Sequence, residues 1–286
     1  MTPGAPSDPA HLDSARLEFG RLESGRLEFG ISSCRLVLIP SYNTGARLLL
    51  QTVRDALAQW APVWVVIDGG TDDSGPAVCE LAKTDPRLRV IMREKNSGKG
   101  SAVLFAARLA LAQGYTHALV MDADGQHPAS RIRDFMAASQ TASDALVLGK
   151  PVFGPEAPPI RLKGRKLSVA LVRLECLGGG IDDPLFGFRV YPLAPLVAAM
   201  RRSWFARRYD FDPEVAVRLF WAGVPAINIP AACKYLSRDE GGVSHFHYLR
   251  DNIRMVWLHA RLITSLLLCK WPAARRAQKK RSSTST

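Results

Sequence analysis

The chain has 286 residues, 47% of them hydrophobic and 22% charged, which allows one sizeable core and excludes wholesale disorder. Its net charge of +12 is uneven, with Lys270, Arg275, Arg276, Lys279, Lys280 and Arg281 crowded into the last stretch. Cys34, Cys79, Cys176, Cys233 and Cys269 are scattered without C-x-x-C spacing, which argues against a disulfide framework or structural zinc and suits a reducing, cytoplasmic setting.

Residues 1–33 read as a low-complexity segment. Arg16-Leu17-Glu18-Phe19-Gly20 recurs at 21–25, with Ser24, and again at 26–30. A five-residue period fits neither helix nor strand. No basic segment followed by an apolar core opens the chain, so no secretory signal is expected. Nor is there a run of about 18 uncharged apolar residues, so no conventional transmembrane helix is expected.

From Arg35 the rhythm changes. Apolar runs predict strands at Leu36–Ile39, Val63–Ile67, Leu88–Met92, Ala118–Met121 and Ala145–Leu148. Helices are expected between them at Ala46–Gln59, Ser74–Ala82, Lys99–Ala112 and Ala129–Ala138. Continuous apolar strands alternating with helices imply an α/β fold, a single Rossmann-like, mainly parallel sheet flanked by helices. Past Lys150 the alternation fails: a Pro-rich loop, 151–159, precedes a helix Ile160–Leu177, and shorter elements reach His247. Leu249, Ile253, Val256, Ala260, Ile263 and Leu267 then recur at helical spacing, opposite Arg250, Arg254 and Arg261. The expected layout is therefore residues 1–33, a domain over 34–247, and an amphipathic helix with basic tail over 248–286.

Met121-Asp122-Ala123-Asp124-Gly125-Gln126-His127-Pro128 is the most informative stretch. Two carboxylates two residues apart leave a strand end on the same side, where open α/β sheets hold ligands. Like charges so close need a cation. Asp122, Asp124 and the amide oxygen of Gln126 are hard ligands, suited to magnesium or manganese. Taken alone, the pair is hardly better than an Asp-Gly turn before a helix.

Three further loops end the earlier strands: Pro40-Ser41-Tyr42-Asn43, Asp68-Gly69-Gly70-Thr71-Asp72-Asp73-Ser74 and Asn96-Ser97-Gly98-Lys99-Gly100-Ser101. Together with the carboxylate pair they supply what a nucleotide-diphosphate donor needs. Asp68 can accept from a base N–H, Gly69 lets backbone approach, and Lys99 sits at a helix start beside a positive dipole end. Each loop has a bland reading as a turn, with Asp72 or Ser74 simply an N-cap. Four at successive strand ends are hard to assign to accident. A P-loop reading fails, because no Gly stands six residues before Lys99 and Gly100 replaces the required Ser or Thr.

This pattern resembles the family 2 glycosyltransferases of the GT-A fold, and among them the dolichol- and polyprenyl-phosphate mannosyltransferase-like branch. The resemblance runs from about Arg35 to Phe246. Loops of the form P-x-Y-N, D-D-G-S-x-D, N-x-G-K-G and D-A-D-x-Q-H-P occur in order, with Ile67 in place of the first Asp and Gly70 in place of Ser. The resemblance implies a donor half over 34–150 with Pro40, Tyr42, Asn43, Asp68, Gly69, Lys99 and Asp122 at the nucleotide sugar, and Asp122, Asp124 and Gln126 around the metal. It implies an acceptor half over 151–247. There Gly164-Arg165-Lys166-Leu167-Ser168 resembles R-x-x-S, and Asp183 to Arg189 resembles D-x-x-S-G-F-R with Phe186 in the Ser position. Arg238 to Phe246 resembles R-x-x-G-x-S-K, one residue longer and with His245 for Lys. Arg165, Ser168, Arg189, Ser244 and His245 are thus the candidate acceptor contacts. These departures bear on the acceptor more than on the donor.

The activity implied is an inverting transfer of one sugar, since no Q-x-x-R-W sequence of processive members is present. The metal with Lys99 or Arg238 would stabilise the departing diphosphate. A hydroxyl acceptor needs a carboxylate base, for which Asp183 and Glu214 are the candidates. A lipid monophosphate, with second pKa near ~6, needs arginines instead. Polyprenyl phosphate is the favoured acceptor. The alternatives are a hydroxyl of another lipid or a glycan, a nucleotidyltransferase on the same sheet, and a degenerate scaffold. The C-terminal helix and tail predict peripheral docking on an anionic membrane surface, at the cytoplasmic face, or else simple packing on the catalytic domain. No nucleic-acid module accompanies the charge, so nucleic acid is not expected.

Overall fold

The computed structural model of the protein describes residues 16–17, 34–155, 159–201, 203, 205–234 and 248–282. The first half runs β1 (Arg16–Leu17), β2 (Arg35–Ser41), α1 (Ala46–Leu57), β3 (Val63–Asp68), α2 (Ser74–Thr84), β4 (Leu88–Arg93), α3 (Lys99–Ala112) and β5 (His117–Val120). A 3-10 turn, Ala129–Arg131, then leads into α4 (Ile132–Thr141) and β6 (Leu146–Phe153). There follow α5 (Pro159–Glu175), β7 (Arg189–Pro192), α6 (Leu193–Met200), α7 (Phe211–Trp221) and β8 (Ala226–Cys233). The C-terminal segment is α8 (Tyr248–Ser265), a π-helical turn Leu266–Lys270, and α9 (Trp271–Ser282).

The strands lie in the order β1-β4-β3-β2-β5-β7-β6-β8. β4, β3, β2 and β5 are mutually parallel, and β8 is parallel to β6. β7 is inserted antiparallel between β5 and β6. Both faces of the sheet are covered, which is why its strands read as unbroken apolar runs. Alternate residues serve different layers: Leu36 and Leu38 pack with α3, α6 and α7, whereas Val37 and Ile39 pack with α1 and α4.

Three expectations need correction. Arg16–Leu17 falls within the segment read as low-complexity, yet it pairs antiparallel with Met92 and Ile91 along the otherwise unpaired edge of β4. β6 continues through Pro151 and Val152 into the expected Pro-rich loop. That is tolerated because β7 pairs only with Val147 and Leu148; after Gly149 N donates to Phe188 O at 2.9 Å, β8 is the strand with which β6 continues to pair. The third correction concerns α8. Of the row read as its apolar face, Ile253, Val256 and Leu267 are 60%, 70% and 64% exposed, while the core takes Leu258, Leu262, Leu266 and Ala274 instead.

Two buried polar contacts explain why α8 turns this way. Glu214 of α7 is fully buried and accepts from Arg261 Nη1 (2.9 Å) and Nη2 (2.5 Å) of α8, from Arg218 Nε (2.7 Å) and from Ser203 Oγ (2.7 Å). Burial would raise its pKa, but Arg261, Arg218 and Ser203 prevail and hold it below the ordinary range. His259 Nδ1 meets Glu175 Oε1 of α5 at 2.8 Å, both residues buried. Arg261, expected on the polar face, is thus a core anchor. Its guanidinium also lies 4.3 Å from the Phe205 ring centroid.

Arg261→Met leaves Glu214 with fewer charged donors, so unfolding in urea should occur with stability reduced by about 2 kcal/mol at neutral pH. Because the folded pKa of Glu214 is depressed, its contribution is present above the unfolded value of 4.5 and lost as pH falls through the folded one. The wild-type and Arg261→Met stability curves should therefore converge in acid.

Candidate active site

The loops after β2, β3, β4 and β5 meet at the carboxyl ends of the parallel strands. Asn43 ties the first to the second: its Oδ1 accepts from Thr71 N at 2.8 Å, and it holds φ 48°, a conformation Asn tolerates. Asp72 caps both neighbours, accepting from Gly45 N (2.7 Å) and from Ser74 N (3.2 Å) and Oγ (2.5 Å), so its structural reading stands. Tyr42 is 37% exposed, whereas Pro40 is buried inside β2 and contributes wall rather than contact surface.

Asp68, the residue expected to face a nucleobase, is 2% exposed. Its Oδ1 accepts from Arg93 Nη1 (2.6 Å), and its Oδ2 from Ser97 N (3.0 Å) and Gly98 N (2.7 Å). Burial raises its pKa against the pull of Arg93 and these amides. Its carboxylate shapes the 96–98 loop and has no free oxygen aimed outward. Gly69, at φ 67°, lies so close to that loop that a Cβ would sit 2.5 Å from Lys95 C and 2.8 Å from its Cα. The N–H groups of Gly100 and Ser101 at the start of α3 donate to Arg207 O at 2.9 and 3.3 Å. The helix end is thus already satisfied, and the Lys99 ammonium, not the dipole end, is the positive group on offer.

Lys99 Nζ lies 2.7 Å from Asp122 Oδ1 and 2.7 Å from Asp212 Oδ2. Burial would depress its pKa, but Asp122 and Asp212 outweigh that and raise it. Asp122 is in turn held low, burial being overcome chiefly by Lys99 and then His127. Asp124 is helped less by Lys99: burial and the neighbouring Asp122 push it up to about 7. Its Oδ1 accepts from Gln126 N at 3.1 Å. Gly187 closes the cluster, since a Cβ there would come 3.2 Å from Asp122 Oδ2 and 3.4 Å from Asp212 Oδ2.

His127 is a site residue that the motif contained but residue chemistry did not single out. Its Nδ1 accepts from Asp122 N at 2.9 Å, and burial lowers its pKa to about 4, so the ring is neutral with its proton on Nε2. Phe186, in the Ser position, stacks edge-on against it at 4.7 Å and fills the space left by Gly149, where a Cβ would strike the Phe186 ring. Asp212 was passed over for Glu214, two residues on. It occupies the site while Glu214 is buried among arginines, so Glu214 is withdrawn as a base. Asp212 Oδ1 is buried without a hydrogen-bond partner.

Of the acceptor set, Arg189 is fully buried and donates to the carbonyls of Phe186 (2.9 Å), Pro184 (2.6 Å) and Asp212 (2.6 Å). It holds the 184–189 turn and the start of α7, and is withdrawn as an acceptor contact. Arg165 of α5 grips Asp183 through Nε and through Nη2 (2.6 Å to Oδ1), with Ser168 half-buried one turn along. Asp183 also accepts from Leu185 N (2.8 Å) and Phe186 N (2.9 Å), so as a base it would first have to be released. Arg238, Ser244 and His245 lie outside the described residues.

Among the described residues no cluster of three or more His, Cys, Asp or Glu side chains forms a ready cation site. The donor chemistry nevertheless fits a hard divalent ion. Asp122 Oδ2 is not bridged by Lys99, and Asp124 offers a second carboxylate close by, hard oxygen donors of the kind such an ion takes.

Gly69→Ala should force the second and third loops apart and strain a left-handed backbone, costing about 1–3 kcal/mol. Thermal melting would register the loss, and nucleotide-sugar affinity should fall with it.

The glycosyl transferase family 2 model matches residues 36–205. The polyprenol monophosphomannose synthase of Mycolicibacterium smegmatis is 30% identical over 215 residues, covering 73% of this chain and 79% of that protein. The dolichyl-phosphate β-glucosyltransferase ALG5A of Trichomonas vaginalis is 27% identical over 219 residues, 68% of this chain and 64% of its own length. The solved structure of mannosyltransferase PcManGT from Pyrobaculum calidifontis, in complex with GDP-Man and Mn2+, aligns with a TM-score of 0.52 at 20% identity, covering 87% of this chain and 75% of that one. Glucosyl-3-phosphoglycerate synthase from Mycobacterium tuberculosis, in complex with Mn2+ and UDP-glucose, gives 0.52 at 20% identity, covering 79% and 78%. These likenesses bear out the GT-A fold. With a parallel sheet ending in a carboxylate pair and its companion loops, this chain belongs to glycosyl transferase family 2, as a glycosyltransferase.

Proposed function

We propose that the protein moves one sugar, with inversion, from a nucleoside-diphosphate sugar to a lipid-linked acceptor, and that the acceptor is a polyprenyl phosphate. The observation that carries this reading is the Lys99 ammonium shared by Asp122 and Asp212 beside the protonatable Asp124. With a divalent cation added at Asp122 and Asp124, such a cluster would offset the charge of a departing diphosphate. The names of the two relatives, each tied to a polyprenol or dolichyl phosphate, support the acceptor class.

In this reading residues 34–150 hold the donor and 151–247 the acceptor. Asp122 and Asp124, with the Gln126 amide, would hold Mg2+ or Mn2+, which when bound neutralises the diphosphate. Tyr42, Asn43, Gly69 and the loop shaped by Asp68 line the nucleotide. Lys99 stays charged throughout, because its pKa is raised, and neutral His127 fixes the Asp122 backbone. Arg165 would exchange Asp183 for the acceptor phosphate, with Ser168 and the Arg238, Ser244 and His245 segment completing that end. One observation favours a second reading, transfer to a hydroxyl: the unpartnered Asp212 Oδ1 could take its proton.

Asp122→Ala and Asp124→Ala should each abolish transfer while leaving circular dichroism unchanged; a folded variant with near-normal turnover would sink the metal assignment. Because cation binding must release a proton from Asp124, Mn2+ affinity measured calorimetrically should weaken about tenfold per pH unit below about 7. Released nucleoside diphosphate, screened across nucleotide sugars with Mn2+, identifies the donor, and pyrophosphate release would point to nucleotidyl transfer. Polyprenyl phosphate against lipid alcohol then separates the two acceptor readings; Asp212→Asn, which also loosens Lys99, should lower turnover only in part with the phosphate and abolish it with an alcohol.

A further inference from the structure

The C-terminal helix has two apolar faces, and only one is used by the fold. Leu258, Leu262, Leu266 and Ala274 pack into the core, while the outward row keeps Ile253 (60%), Val256 (70%), Trp257 (59%), Leu267 (64%), Leu268 (77%) and Trp271 (39%) exposed. These positions follow helical spacing from α8 through the π-helical turn into α9. A continuous exposed row of large apolar side chains is uncommon on a soluble surface and marks a contact site. The row is not a loosely placed helix awaiting its partner domain: Arg261 and His259 fasten the inner face to Glu214 and Glu175.

Charge identifies what meets the outer face. Arg275 and Arg276 are exposed at the end of the row, the Arg275 guanidinium lying 5.5 Å from the Trp271 ring centroid, and Lys270 precedes them. The sequence adds Lys279, Lys280 and Arg281 directly after, with no acidic residue between Asp251 and the end of the chain. Tryptophan and leucine on one face and a dense basic flank are the composition of a helix lying in the plane of an anionic bilayer surface. Among the described residues no helix is long and apolar enough to cross a membrane, so contact through this face is lateral. α5, packed against α8 and carrying Arg165, also turns Leu167 (63%) and Leu174 (55%) outward.

We propose that the outward row from Ile253 to Trp271, with its basic flank, is a docking surface that seats the protein on an anionic lipid leaflet. The proposal rests on the lipid-linked acceptor proposed above, since it is the means of reaching one, but its test needs neither donor nor turnover. The full chain is sedimented with vesicles of phosphatidylcholine alone and of phosphatidylcholine with phosphatidylglycerol. Binding is expected to favour the anionic vesicles and to weaken with salt. Trp257→Ser with Leu268→Ser should reduce it at least about tenfold on both, while Arg275→Gln with Arg276→Gln should diminish the anionic preference and leave binding to phosphatidylcholine alone unchanged. Both pairs are exposed, and unchanged melting temperatures certify the fold. Equal vesicle binding by all variants, or none by the wild type, overturns the proposal. So does light scattering that reveals a dimer dissolved by the serine pair, which would make the face an interface between copies. Should vesicle binding behave as expected while no nucleotide sugar is turned over, the docking surface stands and the transferase reading fails; no vesicle binding by the wild type, with its transfer to a detergent-dispersed polyprenyl phosphate intact, gives the reverse.

Discussion

The Lys99 ammonium is the contact on which the site depends. It joins three elements drawn from both halves of the chain: the first residue of α3, the second residue past β5, and the first turn of α7. Without it Asp122, Asp124 and Asp212 would face one another as uncompensated carboxylates in a half-buried cleft, and the site would relieve itself by protonation or by opening. With it Asp122 is held ionised, the rise that burial and Asp122 impose on Asp124 is tempered, and Asp212 is brought across from the other half of the chain. One ammonium against these carboxylates leaves the cluster net negative, so an arriving diphosphate would need a divalent cation beside Lys99, the group that Asp122 and Asp124 are suited to hold.

The close approach behind this cluster is a matter of missing side chains. Gly69 lets the loop after β3 press on Lys95 and Asn96; Gly100 lets α3 start against Phe211 and Ala206; Gly187 lets the 184–189 turn lie over Asp122 and Asp212. Arg189 acts on the same turn from below, giving its donors to three backbone carbonyls. Carbonyls in a turn with no ladder partner need such a donor when buried. A residue that looks like an anion ligand in the sequence is thereby consumed in making the floor of the site.

How legible the molecule was in its sequence follows from the range of each interaction. α3 begins at Lys99 and ends at Ala112 as its composition predicts, and the parallel strands fall within a residue or two of their apolar runs, because periodicity and glycine are local signals. The D-x-D pair and its companion loops were legible for the same reason: each is contiguous. Arg189, Glu214 and Arg261 were not, since an isolated arginine or glutamate reads alike whether it meets a ligand or a buried partner 47 residues away. Which side of α8 faces the core was not legible, because the helix carries two apolar rows and hydrophobic spacing alone cannot say which one the core will take. Buried polar partners decide it, and those come from other elements.

α7 shows how such a decision reaches the chemistry. Asp212 and Glu214 are two residues apart, so they leave the helix roughly 200° from one another. One carboxylate therefore enters the site and meets Lys99, and the other enters the core and meets Arg218 and Arg261. Choosing between them by residue type is impossible, because both are acidic residues in the first turn of a helix. Geometry chooses: Glu214 is the residue that α8 grips, and its fully buried pairing fixes the rotation of α7 about its own axis, which in turn fixes where Asp212 points. The C-terminal helix, far from the donor loops in sequence, thus sets the second wall of the cation that those loops require.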